Sequence, residues 1–245
     1  MSLVETDWLE KNLSDVKIID SSWHMPQTKR NGYDEFKTKH IPGSIFFDLD
    51  KNSDLNTHLP HMLVKINDWE SIISNMGIQN NDRIVVYDNS DVISSCRCWF
   101  NFIYYGHDPK LIHVLNGGLE KWLKEKREIT NTSLTSKISK YKGEEKKELV
   151  KNKITIDHNI KTKNFKVIDA RSYERFEGKI PEPRKGLRSG SIKNSLCLPF
   201  NNCLNNDKTF KNKNELKKVF ETCLENTNEK NIVFSCGSGV TACVL

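Results

Sequence analysis

The sequence predicts an α/β fold built twice, each copy a mostly parallel sheet flanked by helices. Three observations predict it. Short patterns in the first half return in the second at nearly one offset. Within each half, β-branched runs bounded by polar turns alternate with longer helical patterns, as in βαβ units. A polar stretch with almost no aromatic residues separates the halves.

The repeat rests on three pairs. KIIDSSW, with Asp20, returns as KVIDARS, with Asp169, at an offset of 149. HIPGSIFFD, with Gly43, returns as RSGSIKNSLCLPF, with Gly190, at 147. RIVVYDNSD, with Asp88 after a β-branched run, lines up with NIVFSCGSG, with Cys236 in the same place, at 148. In copy one the strands are expected near 16–20, 44–47, 83–87 and 111–115, with helices near 68–76, 95–105 and 118–125. Copy two is expected to follow the same order. The stretch from about 126 to 160, rich in Lys, Ser, Thr and Glu, reads as a solvated linker wrapping one domain onto the other. The first domain is therefore taken as 1–145 and the second as 150–245, with the boundary near 145–155. Copy one continues through NGGLEKWL for over 30 residues past Asp88, whereas nine residues follow Cys236, so copy two is expected to be truncated, without the last strand and helix.

Composition narrows the class. At 245 residues the chain is long enough for two domains that each bury a core. Hydrophobic residues at 36% and charged residues at 29% describe a globular chain, and no apolar run approaches the roughly 18 residues of a membrane span. The start, MSLVETDWLEKNLSD, carries acids early and lacks the basic and apolar regions of a secretory signal, so the expected location is cytoplasmic. The net charge of +6 comes from dispersed lysines accompanied by 32 acids, without the clustered basic face that nucleic acid requires.

Seven cysteines without a CxxC pair argue against both a disulfide scaffold and structural zinc. Most read as small buried hydrophobes. Cys236 differs, because it follows a β-branched run directly, precedes a Gly-rich turn, and is followed by a helical pattern from Thr241. At the carboxyl end of a strand in an open α/β sheet such a side chain points into a crevice where turn and helix N–H groups converge. Gly237 and Gly239 let the backbone curl around one anionic sulfur, which favours the nucleophilic thiolate. Copy one has Asp88 in this place, which cannot carry sulfur.

CGSGVTA at 236–242, with SSWHMP, HIPGSIFFDLD, VVYDNSD, NGGLEKW and RFEGKIPEPRKGLRSG, resembles the tandem-domain sulfurtransferases of the rhodanese superfamily over nearly the whole chain. The loop is similar to that of the 3-mercaptopyruvate sulfurtransferases, whereas thiosulfate sulfurtransferases carry basic residues just after the cysteine. Phosphatases of related fold need a CxxxxxR loop, and the sixth residue after Cys236 is Ala242.

The resemblance implies two rhodanese-like domains and transfer of sulfur from 3-mercaptopyruvate to Cys236 with release of pyruvate. The resulting persulfide would be discharged by cyanide or by a thiol acceptor, such as a small thiol or a thioredoxin-like protein. Arg175 of RFEG and Arg184 of PEPR would grip the substrate carboxylate and keto group, and Arg188 is either a third contact or a brace. Backbone N–H groups of Gly237, Gly239, Val240, Thr241 and Ala242 would line the sulfur. Ser238, His61 and Asp50 would form a proton relay. No metal or organic cofactor is called for. Trp23, Trp69, Trp99 and Trp122 read as packing, and Arg97 as structural. Two alternatives stay open: thiosulfate as the donor, and a non-catalytic rhodanese-like binding or regulatory protein.

Overall fold

The β-branched runs of the first half form the inner strands of a parallel sheet in the computed structural model, which describes residues 2–134, 136–184, 186–225, 227 and 230–245. The chain divides into two units, Met1–Lys147 and Glu148–Leu245. Unit 1 contains β1 (Leu3–Val4), α1 (Thr6–Lys11), β2 (Lys17–Asp20), α2 (Gly32–Thr38), β3 (Ser44–Phe46), α3 (Ile66–Asn75), β4 (Ile84–Tyr87), α4 (Ser95–Tyr104), β5 (Ile112–Leu115) and α5 (Gly118–Lys124). Its strands run in the order β1-β5-β4-β2-β3, all parallel. Every residue of β4 and β5 is buried, which is why neither shows a polar face: β4 is apolar throughout, and β5 is apolar but for His113.

A core cluster joins α1 and α5 to the sheet through Leu9, Ile18, Val85, Leu115, Leu119 and Trp122. A second aromatic cluster centres on Trp69 of α3, stacked on Tyr105 at 4.5 Å and edge-on to Phe102 of α4 at 5.1 Å. Both tryptophans are fully buried, and each such side chain contributes about 1.5–3 kcal/mol.

Unit 2 contains α6 (Lys153–Thr162), β6 (Lys166–Asp169), α7 (Tyr173–Phe176), β7 (Leu196–Cys197), α8 (Lys213–Leu224) and β8 (Ile232–Ser235). Its sheet order, β7-β6-β8, repeats β3-β2-β4 of unit 1. The register repeats as well: Ile19 pairs with Val86 and Asp20 with Tyr87, as Ile168 pairs with Phe234 and Asp169 with Ser235. Asp88 and Cys236 are thus the same position of one fold. Helix starts follow local chemistry: Asn212 caps α8 in a capping box with Glu215, and Ser172 caps α7. Among the described residues β8 has one strand partner, and its residues are half-buried where those of β4 are buried.

Two expectations need correction. The pairing of Gly43 with Gly190 is wrong by four residues. Ile45 and Leu196 take equivalent places beside Ile19 and Ile168, which is an offset of 151. The counterpart of Gly43 (φ 82°) is Asn194 (φ 66°), a residue type that tolerates the left-handed conformation. The turns match atom for atom, since Ser44 Oγ donates to Ile41 O and Ser195 Oγ to Ile192 O, each at 2.6 Å. Matching glycine to glycine misled the alignment because the turn needs a positive φ, which Asn supplies.

The second correction concerns the linker. Its residues up to Lys147 belong to unit 1. His40 and Thr130 exchange backbone hydrogen bonds, Ser139 Oγ donates to Ile78 O, and Glu144 N donates to Tyr105 O. Tyr141 is 2% exposed and stacks on His107 with ring centroids 6.0 Å apart. The segment is polar in composition but is held through its backbone and one aromatic anchor. β1, α1 and α2 were not anticipated, being shorter than the windows over which periodicity can be read.

Candidate active site

Cys236 follows β8 directly, so the strand's end sets where its side chain emerges. Gly239 adopts φ 74° and turns its N–H back to donate to Cys236 Sγ at 3.1 Å. Among the described residues this is the one N–H that reaches the sulfur. The helical pattern expected from Thr241 is a short 3-10 turn, Thr241–Cys243, preceded by the buried Val240. Cys243 Sγ donates to Gly239 O at 3.0 Å, tying that turn back to the loop. Ser238 lies half-buried within it.

A cleft of about 280 Å³ opens beside the sulfur, lined by Asp169, Arg171, Glu182, Leu187, Arg188 and Gly237 among others. Arg171 follows β6 and binds both oxygens of Asp169, donates Nη1 to Glu182 Oε1 at 2.8 Å, and donates Nη2 to Gly190 O at 2.9 Å. Arg175, in the last turn of α7, meets the same carboxylate side-on, Nε to Oε1 at 3.2 Å and Nη2 to Oε2 at 2.6 Å. The Glu182 side chain is 4% exposed. Burial acts to raise its pKa, but Arg175 and Arg171 outweigh it and hold the carboxyl below its ordinary value.

The two predicted substrate arginines converge on Gly237. A Cβ on that residue would stand 3.2 Å from Arg175 Nη2, and Arg184 Nη1 donates to Gly237 O at 3.5 Å. Arg188 is exposed on the cleft wall and has no ion-pair partner among the described residues.

Asp50 and His61 form a pair within unit 1, with His61 Nε2 2.9 Å from Asp50 Oδ1. Trp23 Nε1 donates to both Asp50 oxygens, at 3.1 and 3.0 Å, and its ring stands edge-on to the imidazole at 4.8 Å. His61 has φ 56°, and Arg97 Nη2 donates to its carbonyl at 2.6 Å. Trp23 and Arg97, read as packing and structure, are the supports of this pair. Arg171 and Glu182 were missed outright. Their sequence signal was a cation two residues after the strand's terminal acid, and an acid inside a Pro-flanked loop otherwise full of cations.

In unit 1 the position of Cys236 is held by Asp88, whose carboxylate accepts from Ser90 N at 3.2 Å and from Ser95 N, in the first turn of α4, at 2.6 Å. Beside it Asp20 is pushed up to about 7 by burial, against the hydrogen bonds of Ser22 and Tyr87 and with the help of the Asp88 charge. Its counterpart Asp169 has Arg171 where copy one has Ser22.

A strand ending in a cysteine that is seated on a glycine N–H, duplicated with an acid in the other copy, matches one family model. The rhodanese-like domain model covers residues 5–125 and again 154–245. The chain belongs to the rhodanese-like family. The chain is 38% identical to the mitochondrial thiosulfate/3-mercaptopyruvate sulfurtransferase 1 of Arabidopsis thaliana, over 99% of its own length and 69% of the relative's. It is 32% identical to the 3-mercaptopyruvate sulfurtransferase of Mus musculus, over 99% and 83%. Among solved structures it superposes on SseA from Escherichia coli, a 3-mercaptopyruvate sulfurtransferase, with a TM-score of 0.89 and 27% identity, covering 100% of this chain and 91% of that one. The chain is a sulfurtransferase with two rhodanese-like domains. No helix among its described residues is long and apolar enough to cross a membrane.

Proposed function

We propose that the chain takes sulfur from 3-mercaptopyruvate onto Cys236 and passes it to a thiol or to cyanide. The carrying observation is the seat of Cys236, with its sulfur on the Gly239 N–H and the substrate-facing arginines 175 and 184 against Gly237. In the first half-reaction the Cys236 thiolate attacks the donor sulfur. The carbon–sulfur bond breaks, its electron pair leaves as the enolate of pyruvate, and a proton completes pyruvate. A persulfide remains on Cys236. In the second half-reaction an acceptor thiolate, or cyanide, attacks the outer sulfur and the Cys236 thiolate departs.

Each named residue has a task. Arg175 and Arg184 hold the donor's carboxylate and keto oxygens so that its sulfur meets the nucleophile. The N–H groups of Gly237, Val240, Thr241 and Ala242, with that of Gly239, stabilise the charge of the outer sulfur. The relay of a proton between donor thiol and enolate carbon by Ser238, His61 and Asp50 is carried over from the family resemblance; within unit 1 Asp50 and His61 are already hydrogen-bonded.

The non-basic Gly237 and Ser238 favour mercaptopyruvate over thiosulfate as donor. The acceptor is a small thiol or the exposed thiol of a thioredoxin-like protein. The proposed compartment is the cytoplasm; none of the seven cysteines is in a disulfide, which suits a reducing compartment, and the mitochondrial matrix meets the same condition.

The test incubates the chain and a Cys236→Ser variant with 3-mercaptopyruvate, following pyruvate release and intact mass. The parent chain should release pyruvate and gain the mass of one sulfur, and the variant neither. Faster turnover with thiosulfate would reverse the donor assignment.

A further inference from the structure

Of the charged groups lining the cleft, the carboxylate of Glu182 is the one bonded to both neighbouring guanidiniums. It is almost completely removed from solvent and accepts three hydrogen bonds from Arg171 and Arg175. Arg171 is separately anchored to Asp169, at the carboxyl end of β6, and to Gly190 O. Glu182 therefore links Arg175 to a guanidinium that the sheet itself holds in place.

We infer that Glu182 is a positioning residue that fixes Arg175 over the Cys236 loop and thereby sets the affinity for a carboxylate-bearing sulfur donor. The inference rests on the proposed reading of Arg175 as a donor-binding residue. A side-on pair spends Nε–H and one Nη2–H on Glu182 and leaves the second Nη2–H and both hydrogens of Nη1, which has no hydrogen-bond partner among the described residues, for an incoming carboxylate. Arg175 sits near the end of a four-residue helix, on a long side chain with many rotamers, so its pose is not dictated by its own backbone. One carboxylate with two geometrically matched bonds removes that freedom before the substrate arrives.

Charge balance supports the same role. Asp169 and Glu182 together neutralise Arg171 and Arg175, so two cations can stand side by side at low exposure without repelling each other. Arg188 on the cleft wall and Arg184 beside Gly237 have no ion-pair partner among the described residues. Removing the charge of Glu182 would free Arg175 from its seat and leave it repelled by Arg171. Donor capture would suffer first. Among the described residues Glu182 bonds to the arginines and not to the Cys236 sulfur, so transfer from a saturated complex should persist.

The test is a double-mutant cycle of Glu182→Gln and Arg175→Gln, assayed with 3-mercaptopyruvate for pyruvate release and for persulfide on Cys236 by intact mass. Glu182→Gln is expected to raise KM at least tenfold while kcat stays within about threefold, with full persulfide loading at saturating donor. The double variant should match Arg175→Gln within a factor of two, because the first substitution acts through the second residue. Glu182→Asp, which keeps the charge on a shorter arm, should recover part of the lost affinity, and it carries the test if Glu182→Gln does not fold. A KM within twofold of the parent in Glu182→Gln overturns the assignment, and so does a defect that adds in full to that of Arg175→Gln. Failure of the parent chain to load sulfur from mercaptopyruvate would instead sink the proposed function, and it would be seen before any variant is compared.

Discussion

Gly239 donates its backbone N–H to the sulfur of Cys236 at 3.1 Å, and it does so from φ 74°. An L-residue pays about 1–2 kcal/mol to hold that conformation. Gly239→Ala is therefore expected to relax the turn, withdraw the N–H, and lower the rate of pyruvate release about tenfold or more. Single-turnover mixing with 3-mercaptopyruvate measures it; an unchanged rate would show that the Gly239 N–H does not assist transfer.

Arg184 reaches the same loop through the carbonyl of Gly237, at the long distance of 3.5 Å. Its bond to protein is weak, so most of its hydrogen-bonding capacity is free for the donor. A hydrogen bond to a charged group contributes about 1.5–3 kcal/mol. Arg184→Gln should accordingly raise KM for mercaptopyruvate about tenfold to a hundredfold, with thermal stability unchanged. Steady-state kinetics beside a melting curve separates the two.

The His61–Asp50 pair depends on Trp23, whose indole N–H binds both carboxylate oxygens. Trp23→Phe keeps the ring against the imidazole but deletes that donor. Turnover should fall, by less than in His61→Ala. A Trp23→Phe enzyme with the parent's turnover would show that the indole N–H does not support the proposed role of the pair.

Asp20 gives a pH signature to unit 1. Its native pKa lies near 7, above the ordinary value of 3.8, so the native state binds its proton more tightly than the unfolded chain does. Its contribution is fully present below about pH 4 and is lost as pH rises through about 7. Asp20→Asn should flatten the fall in stability over that window, a difference on the order of a few kcal/mol. Melting temperatures at pH 5 and pH 8 for both chains would show it.

Tyr141 anchors the polar strap that closes unit 1. Truncating a buried aromatic costs about 3–5 kcal/mol, so Tyr141→Ala should lower the melting temperature of unit 1 while leaving the Cys236 loop intact. Protection of the 126–147 backbone against hydrogen exchange should drop with it.

The features legible in the sequence were those carried by contiguous residues. Buried parallel strands announce themselves as β-branched runs, and a cysteine between such a run and a Gly-rich turn can be placed at a strand's end before any coordinates exist. Asp50 and His61, eleven residues apart, became a pair only through resemblance to a family. The roles that escaped depend on contacts whose partners are distant or chemically ordinary. Glu182 and Arg171 meet across a loop, Trp23 meets Asp50 through one indole hydrogen, and Asn194 substitutes for a glycine because both accept the same backbone angle.

The shared strand register has a consequence for how the two halves can be used. The position after β4 and β8 accepts backbone N–H hydrogen bonds in both. In the first half that position is filled by a permanent resident, the carboxylate of Asp88, bonded to Ser90 and Ser95 and unable to leave. In the second it holds the Cys236 sulfur, on which the proposed reaction would load a second sulfur atom and discharge it. On that reading one half is a fixed fitting and the other a vessel that is filled and emptied, and the residue that follows the strand is where they part.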